Sequence, residues 1–534
     1  MLNLIVFAGA TLLASYLYFR LRYIRYSQYA HIPQLPNHLL WGHLKIFGEL
    51  ASRGIRDRHP DRVFEEMWQS IGRPPVMLVD LRPINPPMLL VTAHDVAEQI
   101  SKPSKLFPHS TPKSPTLTYV APIIGDTSIL SKNGGDWKNL RKRFNPGFSI
   151  QHLWKLLPLI LEKTGPFCAI LDKYSETSET FPFETLVSNL TLDIIGVAVM
   201  EIDLKAQDSF QQGELIRLMG QLTQTYLDDK ANSPWWIVPI TTVKRYRLSR
   251  RIDSLIKETI QRKYSRMKQE GQRSRSILAL SLQDRDSLTA ELLSETADQV
   301  RSFLFAGHDT NTSTLEWTIY ELSRTPRAIK AIREELNEVL GTNSDSQAIC
   351  AILAERGEQL LPKLGYLNAV IKETLRLHPP GGTARMSAPG SGFTVSTAEG
   401  EELLVDGTVI YSCPSIIHRD RNAFGDTADD WVPERWLGDA ANGIPASAYR
   451  PFERGPRSCI GIELANLEPR IIIALIARRY DVTKVGLGES LLDEKGLPVI
   501  NEKGQFRTKS DLYNTRRITS QPVDGTMMKV GLAS

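Results

Sequence analysis

Phe452-Glu-Arg-Gly-Pro-Arg-Ser-Cys-Ile-Gly461 sets one cysteine between two glycines, with an arginine two residues before the sulfur. A thiolate needs positive charge or a metal to be stable near neutral pH. Gly455 and Gly461 allow a tight loop whose backbone N–H groups can point at the sulfur, and such hydrogen bonds set the potential of an iron centre held there. Arg457 is placed to meet a carboxylate, with which its planar cation pairs well. Phe452 can shield a ligand from water. Taken alone, the same residues also suit a glycine-containing surface loop around an inert cysteine.

The rest of the composition narrows the choice. Of 534 residues, 42% are hydrophobic and 23% charged, the balance of a globular protein. The net charge of +4 comes with no basic tail, which gives no support to a nucleic-acid partner. The four cysteines, Cys168, Cys350, Cys413 and Cys459, are far apart and form no Cys-x-x-Cys pair, so no disulfide framework is expected. Three of them read as small buried hydrophobes. Cys459 differs because of its neighbours.

Four further motifs surround it. Trp137-Lys-Asn-Leu-Arg141, Ala306-Gly-His-Asp-Thr310, Glu373-Thr-Leu-Arg376 and Pro433-Glu-Arg-Trp436 precede the cysteine segment in that order. Together with Phe452, Gly455, Arg457, Cys459 and Gly461, they resemble the signatures of the cytochrome P-450 family. The resemblance implies a haem b cofactor with Cys459 as its axial thiolate. It implies that Trp137, Arg141 and Arg385 reach the haem propionates, and that Glu373, Arg376 and Arg435 brace the cysteine loop without taking part in chemistry. It also makes Asp309 and Thr310 an acid and an alcohol in a proton path for oxygen activation.

Local chemistry can be set beside each of these. Glu373 and Arg376 lie one helical turn apart; most such pairs are surface salt bridges worth at most ~1 kcal/mol. Gly307, in mid-helix, costs roughly 1 kcal/mol against Ala, and close approach of a ligand would account for it. Asp309 and Thr310 are poor helix formers that can hydrogen-bond to backbone carbonyls and bend the helix. His308 reads as packing, not as an iron ligand. Trp137 and Arg141 share one helix face, beside a basic stripe of Lys138, Lys142 and Arg143; the resemblance implies that the electron donor docks beside this helix, where such a stripe would suit an acidic partner.

The N-terminus carries a targeting feature. Met1 to Phe19 holds no charge, and nineteen residues of helix reach roughly 28 Å, close to the ~30 Å hydrocarbon core. Arg20, Arg22 and Arg25 follow at once, with Tyr16, Tyr18, Tyr23 and Tyr26 at the exit, which places the body on the cytoplasmic side. A cleaved signal would want its positive charge before the apolar run. The expected order is an anchor over 1–30 (transmembrane about 2–19), a proline-containing hinge over 31–45 and one catalytic domain over 46–534. Its fold class is mainly α with a smaller β part. Strands are expected at Pro75–Val79 and Met88–Val91 and in the last fifty residues, and a long helix from about Ser294 to Arg324, ended by Pro326.

The resemblance implies a single-pass protein of the endoplasmic reticulum membrane that oxygenates a lipophilic molecule. Its electrons would come from NADPH through a separate cytochrome P-450 reductase, with cytochrome b5 as a further donor, since the chain has no nucleotide-binding glycine fingerprint. Substrate contacts are expected from Tyr119, Val120, Ile123, Ile124, Phe303, Leu304 and Met527. The style resembles fungal microsomal members that oxidise polyketides, terpenoids or fatty acyl chains. Two other readings remain: a haem-thiolate enzyme rearranging or dehydrating a peroxide without a reductase, and a non-catalytic haem sensor. Asp309 and Thr310 argue against both.

Overall fold

A computed structural model describes residues 2–55, 57–208, 210–227, 236–270, 274–515 and 517–533. Helix α1 (Leu2–Tyr26) is exposed over residues 3–20, and Arg25 in its last turn is buried. The body is mainly helical. Helices α2 (Gly134–Phe144), α3 (Ile150–Thr177), α4 (Phe183–Met200), α5 (Glu214–Gln224) and α6 (Pro239–Glu270) lead to α7 (Ala290–Ser323), which runs through the core; α8 (Gly365–Leu377) and α9 (Ile462–Arg479) complete the set used below.

Apolar residues surround α7 almost completely, as expected of a helix packed on all sides. From Val300 to Phe305 and from Leu315 to Leu322 its apolar side chains are buried. The helix starts four residues earlier than its periodicity indicates, because the Thr289 hydroxyl accepts from Leu292 N at 3.2 Å and caps it. Pro326 opens the following helix at its first turn. Buried polar residues on α7 fasten the loop that precedes α2: Gln299 Nε2 donates to Thr127 O at 2.8 Å, its Oε1 accepts from Ile129 N at 2.7 Å, and Asp298 accepts from Thr127 N at 2.8 Å.

The β part is a four-stranded sheet in the order β1 (Val76–Val79), β2 (Met88–Val91), β5 (Val409–Ser412), β4 (Thr383–Met386). β2 and β5 are parallel, with Met88 opposite Val409 and Val91 opposite Ser412; the other pairs are antiparallel. Alternate residues of β1 feed two cores, Val76 and Leu78 on one face and Met77 and Val79 on the other. Burial on both faces is why these strands read as unbroken apolar runs. A second sheet joins β3 (Phe181–Pro182), β7 (Met527–Leu532) and β6 (Tyr480–Lys484), all antiparallel.

The segment expected as a hinge is extended, as its prolines dictate, but it is packed onto the domain. Ile32 is buried, and Pro33 O accepts from Leu78 N at 2.8 Å along the edge of β1.

Candidate active site

The cysteine loop is shaped by Gly455, whose φ of +73° is open to glycine, and where an added Cβ would meet Ser101 O at 2.2 Å. Cys459 N donates to Phe452 O at 2.9 Å and closes the turn. The Cys459 side chain is exposed to a cavity of about 310 Å³. Burial pushes the Cys459 thiol up, and the Gly461 N–H on the sulfur, Arg141 and Lys113 pull it back only in part. Such a sulfur holds its proton until a metal displaces it.

The brace behind this loop is fully buried. Glu373 and Arg376 form a two-point pair, with Nε–Oε2 at 2.9 Å and Nη2–Oε1 at 2.8 Å. Arg435 Nε and Trp436 Nε1 each add a bond of 2.9 Å to the same carboxylate. Arg376 also donates to the carbonyls of His418 at 2.7 Å and Asp430 at 2.7 Å. His418 carries the link onward: its Nδ1 donates to Arg376 O and its Nε2 accepts from Arg450 N, both at 3.0 Å. Burial, with Arg376, Arg450 and Arg419 nearby, pushes His418 down to about 3, so it is neutral, as that pattern requires. Arg450 then pairs with Glu453 at 2.6 Å, inside the cysteine loop. A surface salt bridge is therefore the wrong description of Glu373–Arg376: breaking one side of a buried pair typically costs 3–5 kcal/mol.

The cavity joins two kinds of wall. Ile129, Leu130, Phe148, Ile195, Phe303 and Leu464 make it apolar, while Trp137, Arg141, Arg457 and Lys113 gather on its polar side. Arg457 lies 5.0 Å over the Trp137 ring and donates to Asn133 Oδ1 at 2.7 Å. The same Asn133 oxygen accepts from Lys113 N at 2.8 Å. Burial, with Arg385 and Arg141 adding to it, pushes Arg457 down to about 9, and burial drives Lys113 well below the usual lysine range. Among the described residues no carboxylate forms a salt bridge with Lys113, Arg141 or Arg457, although Glu453 acts on Lys113 from nearby. Glu453, which burial would raise, is held low because Arg450 and Arg385 outweigh that effect, and it is already committed to them. Lys113 was not visible in the sequence, where Ser110-Thr-Pro-Lys-Ser-Pro115 reads as a proline-rich loop; only its pairing with β4 at Arg385 brings it here.

Several expectations change. Arg385 is behind the wall: its Nη1 donates to Ser110 Oγ at 2.8 Å and Thr111 O at 2.9 Å, and its Nη2 to Glu453 at 3.2 Å. Thr310 faces the cavity, its hydroxyl donating to Ala306 O at 2.8 Å, but Asp309 does not. The Asp309 carboxylate accepts from Thr519 Oγ1 at 2.5 Å and Gln521 Nε2 at 2.8 Å, on the side of a second cavity of about 440 Å³. His308 lines that second cavity too, its Nδ1 donating to Leu304 O at 2.8 Å. Gly307 lines the sulfur cavity, as expected of a glycine that a ligand approaches, and it also makes room for α4, since a Cβ there would meet Ile195 Cδ1 at 2.5 Å. Arg143 is not part of an exposed stripe; it is paired with Glu295 at 2.8 Å, whereas Lys138 and Lys142 are exposed. Of the expected substrate contacts, Phe303 lines the sulfur cavity, Tyr119 lines a neighbouring cavity of about 290 Å³, and Val120, Ile123, Ile124, Leu304 and Met527 line neither.

The cytochrome P450 family model matches residues 33–507. The cytochrome P450 monooxygenase acrF of Aspergillus aculeatus is 30% identical over 455 residues, covering 81% of this chain and 89% of the relative. The cytochrome P450 monooxygenase polC of Polytolypa hystricis is 29% identical over 479 residues, covering 86% and 83%. The crystal structure of the cytochrome P450DA haem domain superposes with a TM-score of 0.71 at 17% identity, over 94% of this chain and 98% of that one, a likeness of fold. The chain belongs to the cytochrome P450 family and is a monooxygenase. The family implies a haem-thiolate cofactor. The residues present fit it: a sulfur open to the cavity, and basic side chains lining that cavity whose charge a dicarboxylate would neutralise.

Proposed function

We propose that this enzyme inserts oxygen from O2 into a lipophilic small molecule, by hydroxylation or epoxidation, with electrons from NADPH supplied by a separate reductase. The observation that carries this reading is the shared cavity of Cys459 and Thr310 with Lys113, Arg141 and Arg457 on its polar side. In this reading Cys459 would ligate the haem iron, and those three basic side chains with Trp137 would hold the propionates. Bound there, haem supplies oxygen activation, which a thiolate ligand favours by pushing electron density toward O–O cleavage. Thr310 presents a hydroxyl to the reacting side, and the Glu373–Arg376–His418–Arg450 chain keeps the sulfur in register.

The apolar wall formed by Phe148, Ile195 and Phe303 receives the carbon to be oxidised. The adjoining cavity shares Pro380, Gly381 and Gly382 with it and is lined by Tyr119, Tyr226, Tyr411, Asp61 and Arg517, so polar groups at the far end of the substrate have partners. This pattern suits an oxygen-bearing polyketide or terpenoid better than a plain hydrocarbon. The exposed α1 is the membrane anchor of an endoplasmic reticulum protein, with the domain in the cytoplasm.

Because Asp309 faces away from the sulfur cavity, one of the two arguments against reductase-independent peroxide chemistry is weaker, and Thr310 now carries it. The test serves both readings. Wild-type protein should show the red-shifted carbon monoxide spectrum of thiolate-ligated ferrous haem and consume oxygen with NADPH and reductase. Cys459→Ala should abolish both. A normal spectrum in that variant overturns the ligand assignment, and turnover of a hydroperoxide without oxygen consumption favours the peroxide reading.

A further inference from the structure

Arg25, which the sequence offers as one of three charges beyond an apolar helix, is buried. Its Nη1 is 2.6 Å from Asp80 Oδ2, and the two side chains are 2% and 1% exposed. Nε donates to Leu39 O at 3.0 Å, and Nη2 to Leu40 O at 2.7 Å and Arg82 O at 2.9 Å. Arg82 reaches back: its Nη2 donates to Ile24 O at 2.9 Å, its Nη1 to Gln28 Oε1 at 2.9 Å, and its Nε to Asp80 Oδ1 at 2.8 Å. Asn37 Nδ2 donates to Arg25 O at 3.0 Å. The turn that wraps the guanidinium depends on Gly42, at φ +53°, where a Cβ would meet both Arg25 Nη1 and Asp80 O at 2.6 Å. Farther along, Tyr29 OH donates to Asp406 O at 3.0 Å.

This is a joint built from a forked cation, a carboxylate and several backbone carbonyls, and it grips the last turn of α1 from two directions. Residues 3–20 of the same helix are exposed on every side and largely apolar. At roughly 1.5 Å per residue, these residues reach about 27 Å, close to the ~30 Å hydrocarbon core. Two of the three carbonyls that Arg25 holds belong to Leu39 and Leu40. Leu40 and its neighbour Trp41 are 58% and 49% exposed beside the exit of the helix, a place where tryptophan and apolar side chains favour the lipid interface.

We infer that Arg25, Asp80 and Arg82 lock the catalytic domain to its anchor at one fixed angle, with the Leu40–Trp41 turn seated in the bilayer interface. The partner of this surface is a lipid bilayer. The lock fixes which face of the domain the membrane covers and turns the segment over 31–45 from a tether into part of the body. The inference rests on the anchor reading given above, and the experiment separates the two.

Full-length protein is reconstituted into phosphatidylcholine vesicles with 20% phosphatidylserine, a composition of roughly this order being anionic enough to mimic a cytoplasmic leaflet. Alkaline carbonate should leave wild type and Arg25→Gln in the pellet; release of the wild type overturns the anchor reading and the lock with it. Limited chymotrypsin, which cuts after exposed Tyr, Trp and Leu, should free the domain at least about tenfold faster from Arg25→Gln than from wild type, because opening of the joint exposes the backbone at 23–41. Asp80 keeps Arg82 in this variant, so the domain stays folded, which a thermal melt checks. Arg25→Lys, which keeps the charge but loses the fork, should fall between the two. Equal cleavage of all three proteins in retained vesicles overturns the lock alone. Brominated lipid should quench a component of wild-type fluorescence that Trp41→Phe lacks; an unchanged quench overturns the seating of the turn.

Discussion

Asp309 and Thr310 are adjacent in the chain, yet their side chains serve different chambers. Thr310 faces the sulfur cavity, and Asp309 holds the C-terminal segment through Thr519 and Gln521. Ser313 supports the same segment, donating to Ser520 O at 2.5 Å, and Ser520 N donates to Pro380 O at 2.8 Å. Arg517 and Ile518 of this segment line the cavities where the far end of a substrate would lie. On this geometry Asp309 is a positioning residue for the cavity wall. Asp309→Ala should therefore speed amide exchange over 517–526 by about an order of magnitude, since losing two buried bonds near 1 kcal/mol each shifts local opening by that much. Exchange over 452–461 should be unchanged. If the 517–526 amides keep their protection, Asp309 does not hold the segment.

At the scale of elements, the tightest joint in the core is between α7 and α4. Gly307 lies on α7 where Ile195 of α4, 1% exposed, occupies the space a side chain would need. Gly307→Ala gains roughly 1 kcal/mol of helix propensity and loses about 1–3 kcal/mol to overpacking, so a small net destabilisation is expected. In an Ile195→Ala background the clash is gone, and the same substitution should become neutral or stabilising. Thermal unfolding of the four proteins measures the coupling; additive effects would mean that helix packing is not why position 307 is glycine. This joint shows where the sequence was legible and where it was not. Strong local signals gave the long helix, the strands at 76–79 and 88–91 and the helical body, because periodicity and apolar runs record burial directly. The motif residues around Cys459, Thr310, Trp137, Arg141 and Arg457 do share a cavity. What local sequence could not carry was direction: which way Asp309 points, what fills the space at Gly307, and that Lys113 joins Arg457 through Asn133 while Arg385 turns to Ser110. Each of those depends on contacts more than a hundred residues distant, or on a loop whose course only the fold defines.

Across the whole molecule, buried ionisable groups make stability depend on pH, and Glu468 offers the cleanest case. It lies on α9, 1% exposed, with Asn311 Nδ2 donating to its Oε2 at 2.7 Å. Burial pushes the Glu468 carboxyl up to about 8, the Asn311 bond offsetting this only in part. In the unfolded chain the same group ionises near the ordinary glutamate value of about 4.3. Between those two values the folded protein holds a proton that the unfolded chain has released, so the unfolded state binds fewer protons and stability falls as pH rises. The loss from this one group is bounded by about 1.4 kcal/mol per pH unit until pH reaches about 8, where both states are ionised and the slope ends. Glu468→Gln keeps an acceptor for Asn311 and removes the titration. The variant should gain on the wild type by at most about 3 kcal/mol between pH 5.5 and 7.5, read as a widening gap in denaturant midpoints, with no further widening above pH 8.5. Other titrating groups, such as His418, are common to both proteins and cancel in the difference. A gap independent of pH would show that Glu468 is ionised in the folded protein, and a gap that narrowed as pH rose would show that the fold stabilises its charge.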